Sequence, residues 1–99
     1  MGFGRAVGNV VLRNHVRGAG NDGFDVDAKA KHTRLKRNQV FGAKDDGLDV
    51  NSTSTRLTRN EARGNADLGI EAVRGVIDGG GNRASGNGDR RQCTHIVCR

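Results

Sequence analysis

Proline, tryptophan and tyrosine are missing from this 99-residue sequence, methionine occurs once and phenylalanine three times. A wide aromatic core is thereby excluded, and so is the set of stacking rings that single-strand nucleic acid readers use. Without proline, the many turns of a small chain must be built on glycine and asparagine, and glycine alone occurs 16 times. No apolar run approaches the roughly 20 residues that a membrane helix needs. Residues 1–8 contain no apolar core of signal-peptide length. Cysteine is confined to the last seven positions.

What remains is a chain long enough for one small domain with a marginal core. Hydrophobic residues make up 33%, and the glycines bring the apolar share close to that of ordinary globular chains. The apolar content is therefore spent on small and aliphatic side chains. The formal charge of +6 points to polyanionic partners. The basic residues are spread along the chain and interleaved with acids, with no basic block. Nucleic acid is therefore not the expected partner, nor is a membrane; an acidic polysaccharide is.

Internal repetition organises the chain. The pattern Asn-x-(Val/Ala)-x-Gly occurs at Asn14-Val16-Gly18, Asn38-Val40-Gly42, Asn60-Ala62-Gly64 and Asn82-Ala84-Gly86, so the step is 24, 22 and 22 residues. A second register keeps that step: Asp22-Gly23-Phe24-Asp25-Val26, Asp46-Gly47-Leu48-Asp49-Val50 and Leu68-Gly69-Ile70-Glu71-Ala72. A third lies three residues before each asparagine, at Val11, Leu35 and Leu57; the last unit departs from it, with Val76-Ile77 ahead of an inserted Asp78–Gly81 loop. Helical repeats are longer and need a 3.6-residue stripe, and the leucines of leucine-rich repeats are absent. Within each unit the apolar residues alternate, which is the period of a strand.

Three short strands joined by Asn/Gly turns use about 22 residues, one turn of a three-sided solenoid. The fold expected is all-β: a right-handed single-stranded parallel β-helix of about four coils of 22–24 residues. Inward columns form where matched residues stack: Val11/Leu35/Leu57, Val16/Val40/Ala62/Ala84, Phe24/Leu48/Ile70 and Val26/Val50/Ala72. Each coil hides its apolar face only against its neighbours. The asparagine column reads as a hydrogen-bonded ladder whose residues tolerate the left-handed conformation. The glycine columns 18/42/64/86 and 23/47/69 mark corners of positive φ or close backbone approach. The boundaries expected are a lead-in over 1–8, repeats over 9–88 and a cap over 89–99.

On these motifs the chain resembles the right-handed parallel β-helix repeat family, the pectate lyase-like superfamily, and within it a C-terminal portion. The resemblance covers residues 9–88 and speaks to fold more than to activity. It implies an exported parent protein, secreted or held at the cell surface. Since residues 1–8 are too short to seal a solenoid, that end is expected to offer a route to self-association.

The C-terminal segment holds Cys93 and Cys98, which read as a local disulfide pinning the cap if the compartment is oxidising. Cys93-x-His95-x-x-Cys98 also presents three zinc-type ligands without a fourth, and a reduced structural pair is the third reading.

Two motifs carry candidate chemistry. Asn21-Asp22-Gly23-Phe24-Asp25 and the pair Asp45-Asp46 one coil later resemble the aspartate signatures of polygalacturonases. That resemblance makes Asp22, Asp45 and Asp46 the general acid and base of an inverting hydrolysis. The family's Gly-His-Gly segment has no counterpart, and Arg34-Leu35-Lys36 precedes the aspartate pair instead of following it. The plainer reading makes each Asp-Gly the corner of a coil. Gly18–Phe24 resembles the calcium-binding nonapeptide of repeats-in-toxin proteins, which would add Ca²⁺ as a ligand; the chain otherwise implies no cofactor and no metal.

Asp25, Asp49 and Glu71 fall between inward residues and are expected to point outward as one acidic column. Arg13, Arg37 and Arg59 form a basic column just before the ladder asparagines. The two columns are read as counterions, or as a charged groove for an acidic sugar chain whose carboxylates arginine grips in pairs. Two classes of function follow: a carbohydrate-binding or structural module, or a hydrolase or lyase acting on polyuronate.

Overall fold

The structure is a computed structural model that describes residues 2, 3 and 8–99; the lead-in expected over 1–8 falls mostly outside them. All regular structure among the described residues is β. After β1 (Gly2–Phe3), the first coil comprises β2 (Val10–Leu12), β3 (His15–Arg17) and β4 (Phe24–Val26). The second comprises β5 (Arg34–Lys36), β6 (Gln39–Phe41) and β7 (Leu48–Val50), the third β8 (Arg56–Thr58), β9 (Glu61–Arg63) and β10 (Ile70–Ala72). The fourth runs through β11 (Ile77–Gly80), β12 (Arg83–Ser85) and β13 (Cys93–Thr94).

Equivalent strands stack into three parallel sheets, ordered β1-β4-β7-β10-β13, β2-β5-β8-β11 and β3-β6-β9-β12. These are called the first, second and third sheets below. The chain is thus a parallel β-solenoid of about four turns. Its register matches the repeat: Val11 pairs with Leu35 and Leu35 with Leu57, Val16 with Val40, and Phe24 with Leu48 and Leu48 with Ile70. These columns are buried apart from half-buried Val16 at one end.

The asparagine ladder runs through the stack. Asn38 Oδ1 accepts from the Asn14 amide N (2.9 Å), Asn60 Oδ1 from Asn38 N (3.0 Å) and Asn82 Oδ1 from Asn60 N (3.0 Å). Each Nδ2 of Asn38, Asn60 and Asn82 donates inward to a strand carbonyl, of Val11, Leu35 and Leu57 respectively.

The left-handed conformation does not fall on the asparagines. It falls on the residue before each: Arg13 (φ 57°), Arg37 (56°), Arg59 (53°) and, in the fourth coil, Gly81 (70°). An asparagine whose side chain turns inward leaves the preceding residue to make the corner. The glycine corners behave as expected: Gly18, Gly42, Gly64 and Gly86 share φ between 63° and 68°. At Gly47, a Cβ would meet the Gly69 carbonyl.

A second amide ladder escaped the repeat pattern. Asn65 Oδ1 accepts from Ala43 N, Asn87 Oδ1 from Asn65 N, and the cap residue Gln92 takes the last rung through Oε1 to Asn87 N (3.0 Å). The expected Asp78–Gly81 loop is largely strand. Residues 77–80 pair with β8 through a bulge, and Asp78 Oδ1 accepts from Asn82 Nδ2 (3.3 Å) while its Oδ2 accepts from Val97 N (2.9 Å).

Candidate functional site: a basic corner and an acidic face

Folding sorts charges that alternate in the linear sequence. Outward positions of the second sheet carry Arg34, Lys36 and Arg56, and those of the third carry Arg17, Arg63 and Arg83. Arg13, Arg37 and Arg59 line the corner between those two sheets. The first sheet points Asp25, Asp49 and Glu71 outward, with Asp22, Asp45, Asp46 and Asp67 in the turns leading to it. The two columns read as counterions therefore lie on different faces. Among the described residues the ion pairs are Arg63–Glu61 (3.9 Å) and Arg91–Asp89 (2.8 Å), so no carboxylate holds Arg13, Arg37 or Arg59.

The arginine corner is energetically expensive. A non-glycine residue in the left-handed region costs on the order of 1–2 kcal/mol, and the strain recurs in three successive coils. Gly81 fills the same corner in the fourth, so the geometry itself asks only for glycine. Beside this corner lies a cavity of about 430 Å³ lined by Arg37, Gln39, Arg59, Glu61, Arg83 and Arg99, with Asn60, Gly81 and Asn82. Several guanidinium groups thus converge on one groove with a single side-chain carboxylate among them, an arrangement suited to carboxylate or sulfate groups.

On the acidic face the three carboxylates singled out for hydrolysis do come together. Ligand oxygens of Asp22, Asp45 and Asp46 lie within 4.8 Å of one another, as do those of Asp22, Asp25 and Asp49, and of Asp46, Asp67 and Glu71. These overlapping groups are the residues able to hold a hard cation such as Ca²⁺, which takes oxygen ligands. Asp22 and Asp46 also serve the backbone: Asp22 Oδ1 accepts from Asp46 N (3.0 Å) and Asp46 Oδ1 from Leu68 N (2.9 Å). That supports their role as coil corners. Burial, reinforced by a hydrogen bond with Glu71 and by the charges of Glu71 and Asp45, pushes Asp46 up to about 8. Burial and then the charges of Asp22, Glu71 and Asp25 raise Asp49 to about 6. Asp22 is raised too, chiefly by burial and against the pull of the Asp46 N–H.

The cap is closed by a Cys93–Cys98 disulfide with Cα atoms 6.2 Å apart. Neither sulfur is left as a thiolate, which removes the zinc reading and the reduced pair. Cys93 extends the Phe24/Leu48/Ile70 column by pairing with Ile70. The tail then returns across the last coil, where Arg99 N donates to Asn82 O (3.0 Å). His95 Nδ1 lies 2.8 Å from the Ala72 carbonyl, so that ring is tied to the backbone.

Comparisons with protein-family models, with curated proteins and with solved structures find no match to the chain. The functional reading rests on geometry and charge.

Proposed function

We propose that this chain is a module of a pectate lyase-like β-helix protein that binds acidic polysaccharide in the groove lined by Arg37 and Arg59 and along the corner that Arg13 continues. One observation carries the reading: arginine is kept in a strained left-handed corner three times, where the fourth coil makes the same turn with glycine. Strain of this kind persists where it serves a purpose. Successive coils repeat at roughly 4.8 Å, so the column offers a guanidinium at each step to a chain laid along the solenoid axis. Export agrees with a disulfide-closed cap, since such bonds persist in oxidising compartments.

The test is affinity for polygalacturonate across a salt series, with duplex DNA as competitor. The wild-type chain should bind the glycan, and Arg37→Gln with Arg59→Gln should lose most of that affinity. Equal affinity in the double variant, or preference for DNA, overturns the reading.

A second reading, a polyuronate hydrolase, is favoured by the meeting of Asp22, Asp45 and Asp46 within 4.8 Å. Asp22→Asn separates the two: a binder keeps its affinity, whereas a hydrolase loses the release of reducing ends.

A further inference from the structure

The outer face of the third sheet holds an arrangement that the corner arginines do not account for. In register, its outermost column reads Arg17, Phe41 and Arg63 in successive coils. The guanidinium carbon of Arg17 lies 5.6 Å from the centroid of the Phe41 ring and that of Arg63 lies 5.1 Å away. His15 meets the same ring edge-on at 5.2 Å, and its Nε2 accepts from Arg17 Nε at 3.4 Å. Arg63 reaches Glu61 only at 3.9 Å, with its side chain 55% exposed. Arg17 has no ion pair among the described residues, and Arg63 has only this long one.

A guanidinium stacked on a ring is held in place while its N–H edges stay free for an anion. Arg17 and Arg63 come from the coils on either side of Phe41, so their strands are two steps apart, about 10 Å. Two residues nearer the corner on each strand stand Gln39 and Glu61, which line the 430 Å³ cavity with Arg37 and Arg59. The corner wall of the groove carries Arg37 and Arg59 in the second and third coils and Gly81 in the fourth, and the strands beside it lead outward to a column that alternates cation, ring, cation.

We propose that Arg17 and Arg63 are a second pair of anion-binding residues, with Phe41 as their positioning residue. The ligand class is an extended acidic glycan whose charged groups on one side recur at every second sugar. A polyuronate of two-fold conformation has that property, and so does a copolymer with one uronate in each disaccharide. In the polyuronate the sugar between those charged positions turns its acid away, toward Arg37, and in the copolymer that sugar carries no acid. This inference rests on the reading that the glycan lies along the Arg37–Arg59 corner.

The experiment is calorimetric affinity of the full chain for galacturonate oligomers, from dimer to hexamer, and for hyaluronan oligomers. Affinity should climb sharply once the oligomer spans three coils. Phe41→Leu, Arg17→Ala and Arg63→Ala should each weaken the longer oligomers by roughly five-fold, the factor expected for the loss of about one such contact, and spare the dimer. Phe41→Tyr keeps the ring and should bind as wild type, and Phe41→Leu combined with Arg17→Ala should cost less than the product of the two. Preference for galacturonate or for hyaluronan oligomers tells the two glycan sources apart. Wild-type affinity in Phe41→Leu, Arg17→Ala and Arg63→Ala, with loss in Arg37→Gln/Arg59→Gln, overturns this inference and leaves the corner reading standing. No binding by the wild-type chain overturns both.

Discussion

Arg59 and Gly81 make the same corner in adjacent coils, at φ 53° and 70°, and the Arg59 Cγ lies 2.7 Å from where a Gly81 Cβ would stand. The glycine is thus roofed by the arginine it replaces. Arg59→Gly should relieve the left-handed strain and raise stability by about 1 kcal/mol, a rise of roughly 4–8 °C in Tm for a domain of this size. The same variant should bind polygalacturonate more weakly. Stability rising while binding falls, in one differential scanning and one affinity measurement, is the expected signature of a residue kept for its ligand.

A different column is under-satisfied. Asn9, Thr33, Thr55 and Val76 stack at the position before each strand of the second sheet, and Asn9 Nδ2, Thr33 Oγ1 and Thr55 Oγ1 are buried without a hydrogen-bond partner among the described residues. The fourth coil already places valine there. Thr55→Val removes a hydroxyl that gains nothing on folding and should stabilise by about 1 kcal/mol, read as a higher urea midpoint with an unchanged slope.

The ladder makes opposite demands at its centre and its end. Asn60 is fully buried, accepts from both Asn38 nitrogens and donates to the Leu35 carbonyl. Asn60→Ala strands the Asn38 amide and the Leu35 carbonyl and should cost about 3 kcal/mol or more, a large part of a small domain's 5–15 kcal/mol. Asn14 is half-buried at the open end of the ladder, where its side chain donates and its Oδ1 takes no rung from a further coil among the described residues. Asn14→Ala should cost less than about 1 kcal/mol. Urea unfolding of the pair reads the contrast directly.

The acidic face gives the fold an uncommon pH response. Asp46 at about 8 and Asp49 at about 6 bind protons more tightly folded than unfolded, where a carboxyl titrates near 4. Their stabilisation is complete below the unfolded value and is lost as pH rises through the folded values, so stability should fall between about pH 4 and pH 8. Asp46→Asn copies the protonated acid, retains an acceptor for Leu68 N, and should flatten much of that slope. A wild-type Tm that is level or rising from pH 5 to pH 8 would contradict the assignment.

The solenoid was legible because its hydrophobic columns obey a two-residue alternation inside a fixed step, and Phe24, Leu48 and Ile70 need no structure to be aligned. The second amide ladder was not, although Asn65 and Asn87 keep the 22-residue step: its first rung is the backbone of Ala43 and its last comes from Gln92 in the cap. The left-handed arginines were missed because propensity assigns that conformation to the neighbouring asparagine, while the ladder's inward hydrogen bonds decide otherwise. Of the candidate site, the columns Arg13/Arg37/Arg59 and Asp25/Asp49/Glu71 were visible as columns. Their separation onto different faces was not, because a linear reading shows which residues share a column and not how the columns are arranged around the axis. Phe41 was not legible, because its matched positions in the neighbouring coils hold Arg17 and Arg63 and the column shares no residue type.

Charge sorting also gives the molecule a transverse dipole. A body that is positive along one flank and negative along another experiences a torque in the field of a polyanion well before contact. It rotates as it approaches, so that encounters begin with the guanidinium corner foremost and the carboxylates trailing. Most collisions would then be productive at low ionic strength, and the advantage would fade once the Debye length shrinks below the width of the molecule.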